Sequence, residues 1–250
     1  MGGAIAESLA GMRNYSVTVT AHSQKTLDRI LEKNPTLNVT LNNREAVKDA
    51  DIVIVAVKPY VVASVFEEIK SRIKTGAIVI SVVAALSIEE IGKALCASQC
   101  GLQIFRVIPN TAIRLGKSAT FIAPAYNANQ RAIDEVVGIF DLSGHTFLVG
   151  EKDMAACTAM SSCGIAYFLR FIRAAAEGGV ELGLRPGFAA EVAAATAEGA
   201  AALILDGGHP EAEIDKVTTP GGLTIKGLNA MEEKGFTAAV IAGLKASFKQ

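Results

Sequence analysis

The sequence predicts an α/β protein: a doubly wound, largely parallel sheet over residues 1–150, followed by an all-α domain over residues 151–250. Three observations carry this. Short β-branched runs alternate with segments of helical period between Ser16 and Val149; after about Glu151 Ala-rich helical sequence continues to Gln250; and the chain opens on Met1-Gly2-Gly3-Ala4-Ile5-Ala6, small residues leading into a helix.

The expected strands are Ser16–Ala21, a short one near Val39, Asp51–Val57, Ile78–Val83, Gln103–Val107, Ala119–Ala123 and Thr146–Val149. Between them Val61, Val62, Val65, Phe66, Ile69 and Ile73 recur at helical spacing, as do Ile133, Val136, Val137 and Phe140. In the second half Pro186, the Gly207-Gly208-His209-Pro210 turn and Pro220-Gly221-Gly222 divide the sequence into several helices. The Ala and Gly content there lets helices approach closely, and so narrow a domain is expected to cover its apolar faces with a second copy. A homodimer, or a higher homo-oligomer, through the C-terminal helices follows.

With 24 Lys and Arg against 25 Asp and Glu, interspersed, the net charge is −1. No electrostatic footprint for nucleic acid or an anionic membrane is present, which leaves small-molecule chemistry. Cys96, Cys100, Cys157 and Cys163 have neither disulfide nor zinc spacing and read as reduced thiols; no metal site is expected. The apolar stretch Ile78–Leu86 is read as the longest and is too short to cross a bilayer, and no leader opens the chain, so a cytoplasmic protein is expected.

The opening glycines match the second half of a G-x-G-x-x-G fingerprint, the turn that lets a dinucleotide pyrophosphate approach a helix N-terminus. The first half, and the strand before it, are missing ahead of Met1, so the Rossmann-like sheet is expected to lack its first strand. Met1 and Gly2 are the pyrophosphate candidates. At the end of the next strand a site for the unphosphorylated ribose would offer a carboxylate, but His22, Ser23, Gln24, Lys25 and Thr26 stand there. His22, Ser23 and Lys25 suit a 2′-phosphate, so NADPH is preferred over NADH; the competing reading makes Ser23 a helix N-cap. Ala56, Val57, Lys58 and Pro59 follow a central strand at its carboxyl end, where ligands of such sheets bind, although a solvated lysine before a helix-starting proline reads equally well. Asn110 and Thr111 end another strand and are placed to hydrogen-bond nicotinamide or substrate, while Ala84 and Ala85 would let a cofactor pass close.

Late in the helical half, Val217-Thr218-Thr219-Pro220-Gly221-Gly222-Leu223-Thr224 sets two glycines before a helix. Such a loop exposes successive N–H groups to a small anion such as a carboxylate, with the Thr224 hydroxyl beside it. A plain helix-to-helix turn with a capping threonine is the alternative. Ser161-Ser162-Cys163-Gly164 interrupts a helix as a kink or a pocket wall. His22, His145 and His209 are scattered, so no nucleophilic triad is supported, and hydride transfer, in which the cofactor carries the chemistry, fits better.

In Met1–Ile5, Ala56-Val57-Lys58-Pro59, Arg106-Val107-Ile108-Pro109-Asn110-Thr111 and above all Val217–Thr224 the chain resembles the pyrroline-5-carboxylate reductase family, nearly end to end. The resemblance implies reduction of the C=N bond of 1-pyrroline-5-carboxylate to L-proline with NAD(P)H. It also implies that Thr219, Gly221, Gly222, Leu223 and Thr224 receive the carboxylate, that the Thr224 hydroxyl meets the ring nitrogen as the catalytic contact, and that intertwined helical domains form the dimer. The chain departs from the family pattern at Ser161–Ile165, where the family has Ser-Gly-Ser-Gly-Pro, and at Thr219 and Leu223. A cofactor-deficient relative acting as a binding or regulatory protein, a reductase of a related imine, and a β-hydroxyacid dehydrogenase are the competing readings. The last would want a lysine base in the helical domain.

Overall fold

The computed structural model describes residues 1–12, 14–84 and 86–248; the expectation for Ala85 falls outside them. By its contacts the chain forms two compact units, Met1–Ser162 and Cys163–Gln250.

The first unit contains helices α1 (Gly2–Leu9), α2 (Gln24–Lys33), α3 (Asn43–Val47), α4 (Val62–Ile69), α5 (Ile88–Ala94), α6 (Ala97–Cys100), α7 (Gln130–Asp141) and α8 (Met154–Thr158). Its strands are β1 (Thr18–Thr20), β2 (Asn38–Thr40), β3 (Ile52–Val55), β4 (Ile78–Ser81), β5 (Gln103–Ile108), β6 (Ser118–Pro124) and β7 (Gly144–Leu148). Several helices start where the sequence supplies a cap: Asn42 accepts from the amides of Arg44 and Glu45, and Asn129 from that of Ala132. Ser87 and Glu90 form a capping box, worth about 1 kcal/mol. Its bonds to Ser87 hold the Glu90 carboxyl below the usual range.

The strands form two separate sheets. β1 pairs in parallel with β2 alone, while β3, β4, β5, β6 and β7 follow one another in a five-stranded sheet, parallel except between β5 and β6. β1 and β3 do not pair. A gap thus divides the two sheets between β1 and β3.

Because residues alternate across a strand, β3 feeds two cores. Val53 and Val55 join Val62, Phe66 and Ile69 on one face, whereas Ile52 and Ile54 pack with Ile5, Leu9 and Phe140 on the other. Phe66, Phe105 and Phe140 are almost fully buried, each worth roughly 2–3 kcal/mol of apolar burial.

The second unit is helical: α9 (Gly164–Glu181), α10 (Pro186–Leu205), α11 (Pro210–Val217), α12 (Leu223–Glu233) and α13 (Phe236–Ser247). α9 and α10 pack as an antiparallel pair, and a Cβ on Gly179 would lie 3.2 Å from that of Ala189. Both helices end in Schellman turns, in which Gly183 and Leu184 donate to Val180 and Gly179, and Gly207 and Gly208 to Ile204 and Leu203. Prolines then restart the chain as α10 and α11. Tyr167 ties α9 to α13 through hydrogen bonds with the Gly243 carbonyl and the Ser247 hydroxyl.

Of α10 only Ala189 is buried, while Phe188, Leu203 and Leu205 stand exposed. One expectation fails here. Residues Glu151–Glu181 and Pro186–Leu205 form helices long and apolar enough to cross a membrane, so Ile78–Leu86 is not the limiting apolar stretch. Scattered glycines and charges obscure that length in the sequence, because apolar content spread over a whole helix leaves no unbroken run.

Candidate functional site

The pole of α1 is the first part of the site. The first helical bond runs from the Ile5 amide to the Met1 carbonyl at 3.1 Å, which leaves the amides of Gly2, Gly3 and Ala4 without an intrahelical partner. No acidic residue stands in this turn and no side chain caps it. The pole therefore keeps its partial positive charge for an anion. Gly2 permits the close approach: a Cβ there would lie 2.9 Å from the Cβ of Ala56, just past the end of β3. Val57 lies beside it, followed by exposed Lys58 and Pro59, and Lys58 N-caps a short 3₁₀ turn, Pro59–Val61.

The start of α2 is the second part. His22, Ser23 and Lys25 are all exposed at the carboxyl end of β1, and the first turn of α2 contains no carboxylate. Ser23 occupies the N-cap position, yet its hydroxyl caps nothing and lies instead 3.0 Å from that of Thr26. The nearby acid, Asp28, accepts from Gln24 at 2.8 Å. The cluster offers hydroxyls, one ammonium group and a helix pole to an anion.

Asn110 is buried and heavily engaged. Its Oδ1 accepts from the Ala112 amide at 2.9 Å, capping the turn Thr111–Leu115, and its Nδ2 donates to Ser161 Oγ at 3.1 Å. Its own amide donates to Ser118 Oγ, which also accepts from Thr120, and Ser161 donates to the Ala119 carbonyl. One Nδ2 hydrogen is thus left over for a ligand, and the main business of the side chain is to fix this corner. Sequence reasoning missed Ser118, Thr120 and Ser161 as partners, since spacings of 8 and 51 residues leave no local pattern.

Ser161 belongs to a π-helical turn, Ala159–Cys163, so the interruption expected at Ser161–Gly164 is a widened turn within a helix. Ser162 also reaches the Pro109 carbonyl, at 3.4 Å. Nearby, Glu151 Oε1 accepts from the Ile88 amide at 2.6 Å and lies 3.6 Å from Arg106 Nη1. That pair, also missed, ties the end of the sheet to the start of the helical run. Burial, then the charge of Asp153, pushes the Cys157 thiol up, which disfavours its thiolate form.

In the second unit, Thr219-Pro220-Gly221-Gly222 is a tight turn closed by a 2.9 Å bond from the Gly222 amide to the Thr219 carbonyl. Gly221 has φ +71°, as a type II turn with proline ahead of it requires. A Cβ on Gly222 would strike Thr219 Oγ1 at 2.5 Å and its carbonyl oxygen at 2.9 Å. The Gly222 amide is thereby occupied. The amides of Leu223, Thr224 and Ile225, in the uncapped and acid-free first turn of α12, remain as donors, with the Thr224 hydroxyl exposed among them.

The Pyrroline-5-carboxylate reductase dimerisation family model matches residues 151–250, and that of NADP oxidoreductase coenzyme F420-dependent matches residues 1–85. Pyrroline-5-carboxylate reductase 1 of Dictyostelium discoideum is 38% identical over 99% of this chain, which spans 47% of that protein's length, about half. Pyrroline-5-carboxylate reductase 2 of the same organism is 36% identical over 98% of this chain and 86% of its own. The crystal structure of Plasmodium falciparum pyrroline carboxylate reductase, with NADP bound, superposes with a TM-score of 0.85 at 28% identity, over 99% of this chain and 91% of that one. Both long apolar helices fall within the residues matched by the dimerisation family model. The chain belongs to the pyrroline-5-carboxylate reductase family.

Proposed function

We propose that the protein reduces 1-pyrroline-5-carboxylate to L-proline with NADPH, residues 1–150 holding the dinucleotide and residues 151–250 forming the homodimer and receiving the substrate. The observation that carries this is the turn at Thr219–Gly222, which needs glycine at 221 for its positive φ and at 222 for its contact with Thr219, and which delivers the chain into an uncapped, acid-free helix start. Three amides and one hydroxyl in that turn suit a small carboxylate beside a ring nitrogen.

The residues present fit the cofactor. A Cβ-free residue lets α1 approach Ala56, the amides of Gly2 and Gly3 would hold the pyrophosphate, and Ser23 and Lys25, with His22, would hold a 2′-phosphate. Ala56, Val57, Lys58 and Pro59 would line the ribose and nicotinamide side, with Asn110 fixing the turn beyond β5. When bound, NADPH supplies the hydride that reduces the imine carbon.

The carboxylate is taken by the Leu223, Thr224 and Ile225 amides, with Gly221 and Gly222 shaping the loop and Thr219 closing it. The Thr224 hydroxyl accepts from the protonated ring nitrogen, which holds the imine in its electrophilic form. No general acid is needed in that state, in keeping with the lack of a partnered histidine. The work belongs to a cytoplasmic enzyme with a small-molecule substrate and no part for nucleic acid or membrane.

Loss of NADPH absorbance on adding 1-pyrroline-5-carboxylate tests the proposal. Thr224→Ala should lower kcat/KM by about 10²-fold, or roughly 2.7 kcal/mol, with little change in melting temperature. Activity within a few-fold of the parent would remove Thr224 from this role.

The separation of β1 from β3 favours a second reading, in which the protein binds a carboxylate ligand without reducing it. Calorimetry separates the two: micromolar NADPH binding defeats the second reading, and proline binding without any NADPH binding defeats the first.

A further inference from the structure

We propose that Arg106 is a positioning residue for the Asn110 corner: paired with Glu151, it sets where the end of β5 stands along the helical run that begins at Glu151, and so where the Asn110 carboxamide is held. The step from that corner to NADPH rests on the reductase reading above; the step from Arg106 to the corner does not.

Arg106 lies on the central strand of the five-stranded sheet, and its side chain is only 15% exposed. Side chains alternate along β5, so Phe105 and Val107 join the cluster of Ile5 and Phe140, whereas Ile104, Arg106 and Ile108 share the opposite face. In register beside Arg106 stand Ser81 of β4 and Ala123 of β6, both small and fully buried, which leaves the guanidinium its room. Its Nη1 lies 3.6 Å from Glu151 Oε1, the same atom that takes the Ile88 amide at 2.6 Å. The Glu90 carboxyl, lowered first by its bonds to Ser87, is lowered further by the charge of Arg106.

This arrangement is a poor way to stabilise a core. Arg106 Nε is buried with no hydrogen-bond partner among the described residues. Burying such a charge costs desolvation that a single pair at 3.6 Å offsets badly, and an apolar side chain there would serve packing at least as well. The pair is explained instead by what it aligns.

Successive contacts of rising residue number join the same two stretches of chain. Arg106 meets Glu151, Ile108 shares a buried cluster with Met154, and Pro109 and Asn110 meet Ser162 and Ser161. Asn110 is still in extended conformation, so from Arg106 to Asn110 the chain spans about 13 Å, while from Glu151 to Ser161 a helical run rises about 15 Å. The two polar ties are therefore rungs at matching heights on two tracks running side by side. The apolar rung between them fills space without fixing register, since methionine adapts to its surroundings. Of the polar rungs only Arg106–Glu151 is charged. A slip at that end carries to Asn110, whose Oδ1 caps the turn Thr111–Leu115 through the Ala112 amide. A displacement of about 1 Å is enough to misalign reacting groups.

Arg106→Met keeps an unbranched apolar stem and removes the charge; Glu151→Gln keeps an acceptor for the Ile88 amide and removes the charge. A double-mutant cycle read by amide exchange in the ligand-free protein reports on the corner itself. The Ala112 amide should exchange about tenfold faster in each single variant and no faster in the double. The melting temperature should fall in Glu151→Gln, which strands a buried guanidinium, and recover in the double. NADPH affinity by calorimetry should weaken roughly tenfold in all three, with the KM for the imine unchanged. Ala112 protection that returns with the melting temperature in the double would make the pair merely structural and overturn the proposal. Parent-like exchange throughout, or effects of the two substitutions that multiply, would overturn it too. Faster exchange with NADPH affinity and kcat untouched would overturn its part in the reaction. A parent protein that binds no NADPH at all sinks the reductase reading instead, and Ala112 exchange still decides whether the pair sets the corner.

Discussion

Asn110 Nδ2 donates to Ser161 Oγ across 3.1 Å, joining the turn after β5 to a π-helical turn 51 residues later. Both ends of the Asn110 amide are then in use, since Oδ1 accepts from the Ala112 amide. Ser161 opens the segment Ser161–Ile165, and its hydroxyl both accepts from Asn110 and donates to the Ala119 carbonyl.

Ser161→Ala removes the partner of a buried carboxamide hydrogen and of the partly buried Ala119 carbonyl. The expected loss is about 1–3 kcal/mol of stability, read by urea unfolding. If the Asn110 corner serves the cofactor, the KM for NADPH should rise with it while Thr224-dependent substrate binding stays put. A melting temperature and KM unchanged from the parent would show that the network contributes nothing.

Gly222→Ala should act on the substrate side alone. Its Cβ would meet Thr219 Oγ1 and the Thr219 carbonyl at distances no real contact shows, so the turn must open and the first turn of α12 move with it. We expect the KM for the imine to rise by roughly tenfold or more, about 1.4 kcal/mol, with NADPH binding by calorimetry unaltered. Equal weakening of both ligands would mean that the loop acts on the whole fold and not on the carboxylate.

Most of the fold was legible because the signals are local. The β-branched runs at Ile52–Val55 and Ile78–Ser81, the caps Asn42, Ser87 and Asn129, and the prolines at 186 and 210 each act within a few residues of where they stand. The Thr219–Thr224 loop is legible for the same reason, although the occupation of the Gly222 amide is not, since it depends on which way the turn closes. The Arg106–Glu151 pair and the Asn110 network were invisible because their members meet only after the sheet is assembled. Ser23 shows the converse: it stands at the N-cap position that the competing reading gave it, but its hydroxyl lies beside that of Thr26 and caps nothing.

The pair Lys74 and Asp51, 2.6 Å apart, fastens the start of β3 to the segment before β4 and makes stability depend on pH. The hydrogen bond from Lys74, then its charge, holds the Asp51 carboxyl below the usual range and in turn raises the Lys74 ammonium. A depressed carboxylate contributes stability above its unfolded pKa and loses it as pH falls through the folded one; a raised ammonium contributes below its unfolded pKa and loses it as pH rises through the folded one. Asp51→Asn should therefore lower the melting temperature slightly near neutrality and converge with the parent at both extremes. Both groups are exposed, so the difference should also shrink in high salt. A constant offset at every pH would mean that the substitution acts through something other than this ion pair.

In the proposed site, cofactor choice rests on Lys25 and the absence of a carboxylate beside Ser23. An acid placed there would repel a 2′-phosphate and could accept from the ribose hydroxyls of the unphosphorylated cofactor. Lys25→Glu exchanges the exposed ammonium at the start of α2 for such a group without touching Leu27, the buried residue of that helix. The ratio of kcat/KM for NADPH to that for NADH should fall by roughly 10²-fold, about 2.7 kcal/mol, mostly through the KM for NADPH. The loss should be smaller at high ionic strength, because the charge is exposed to solvent. Should the ratio stay where it is while both cofactors bind normally, the 2′-phosphate is held elsewhere and the pole of α2 has no part in selecting it.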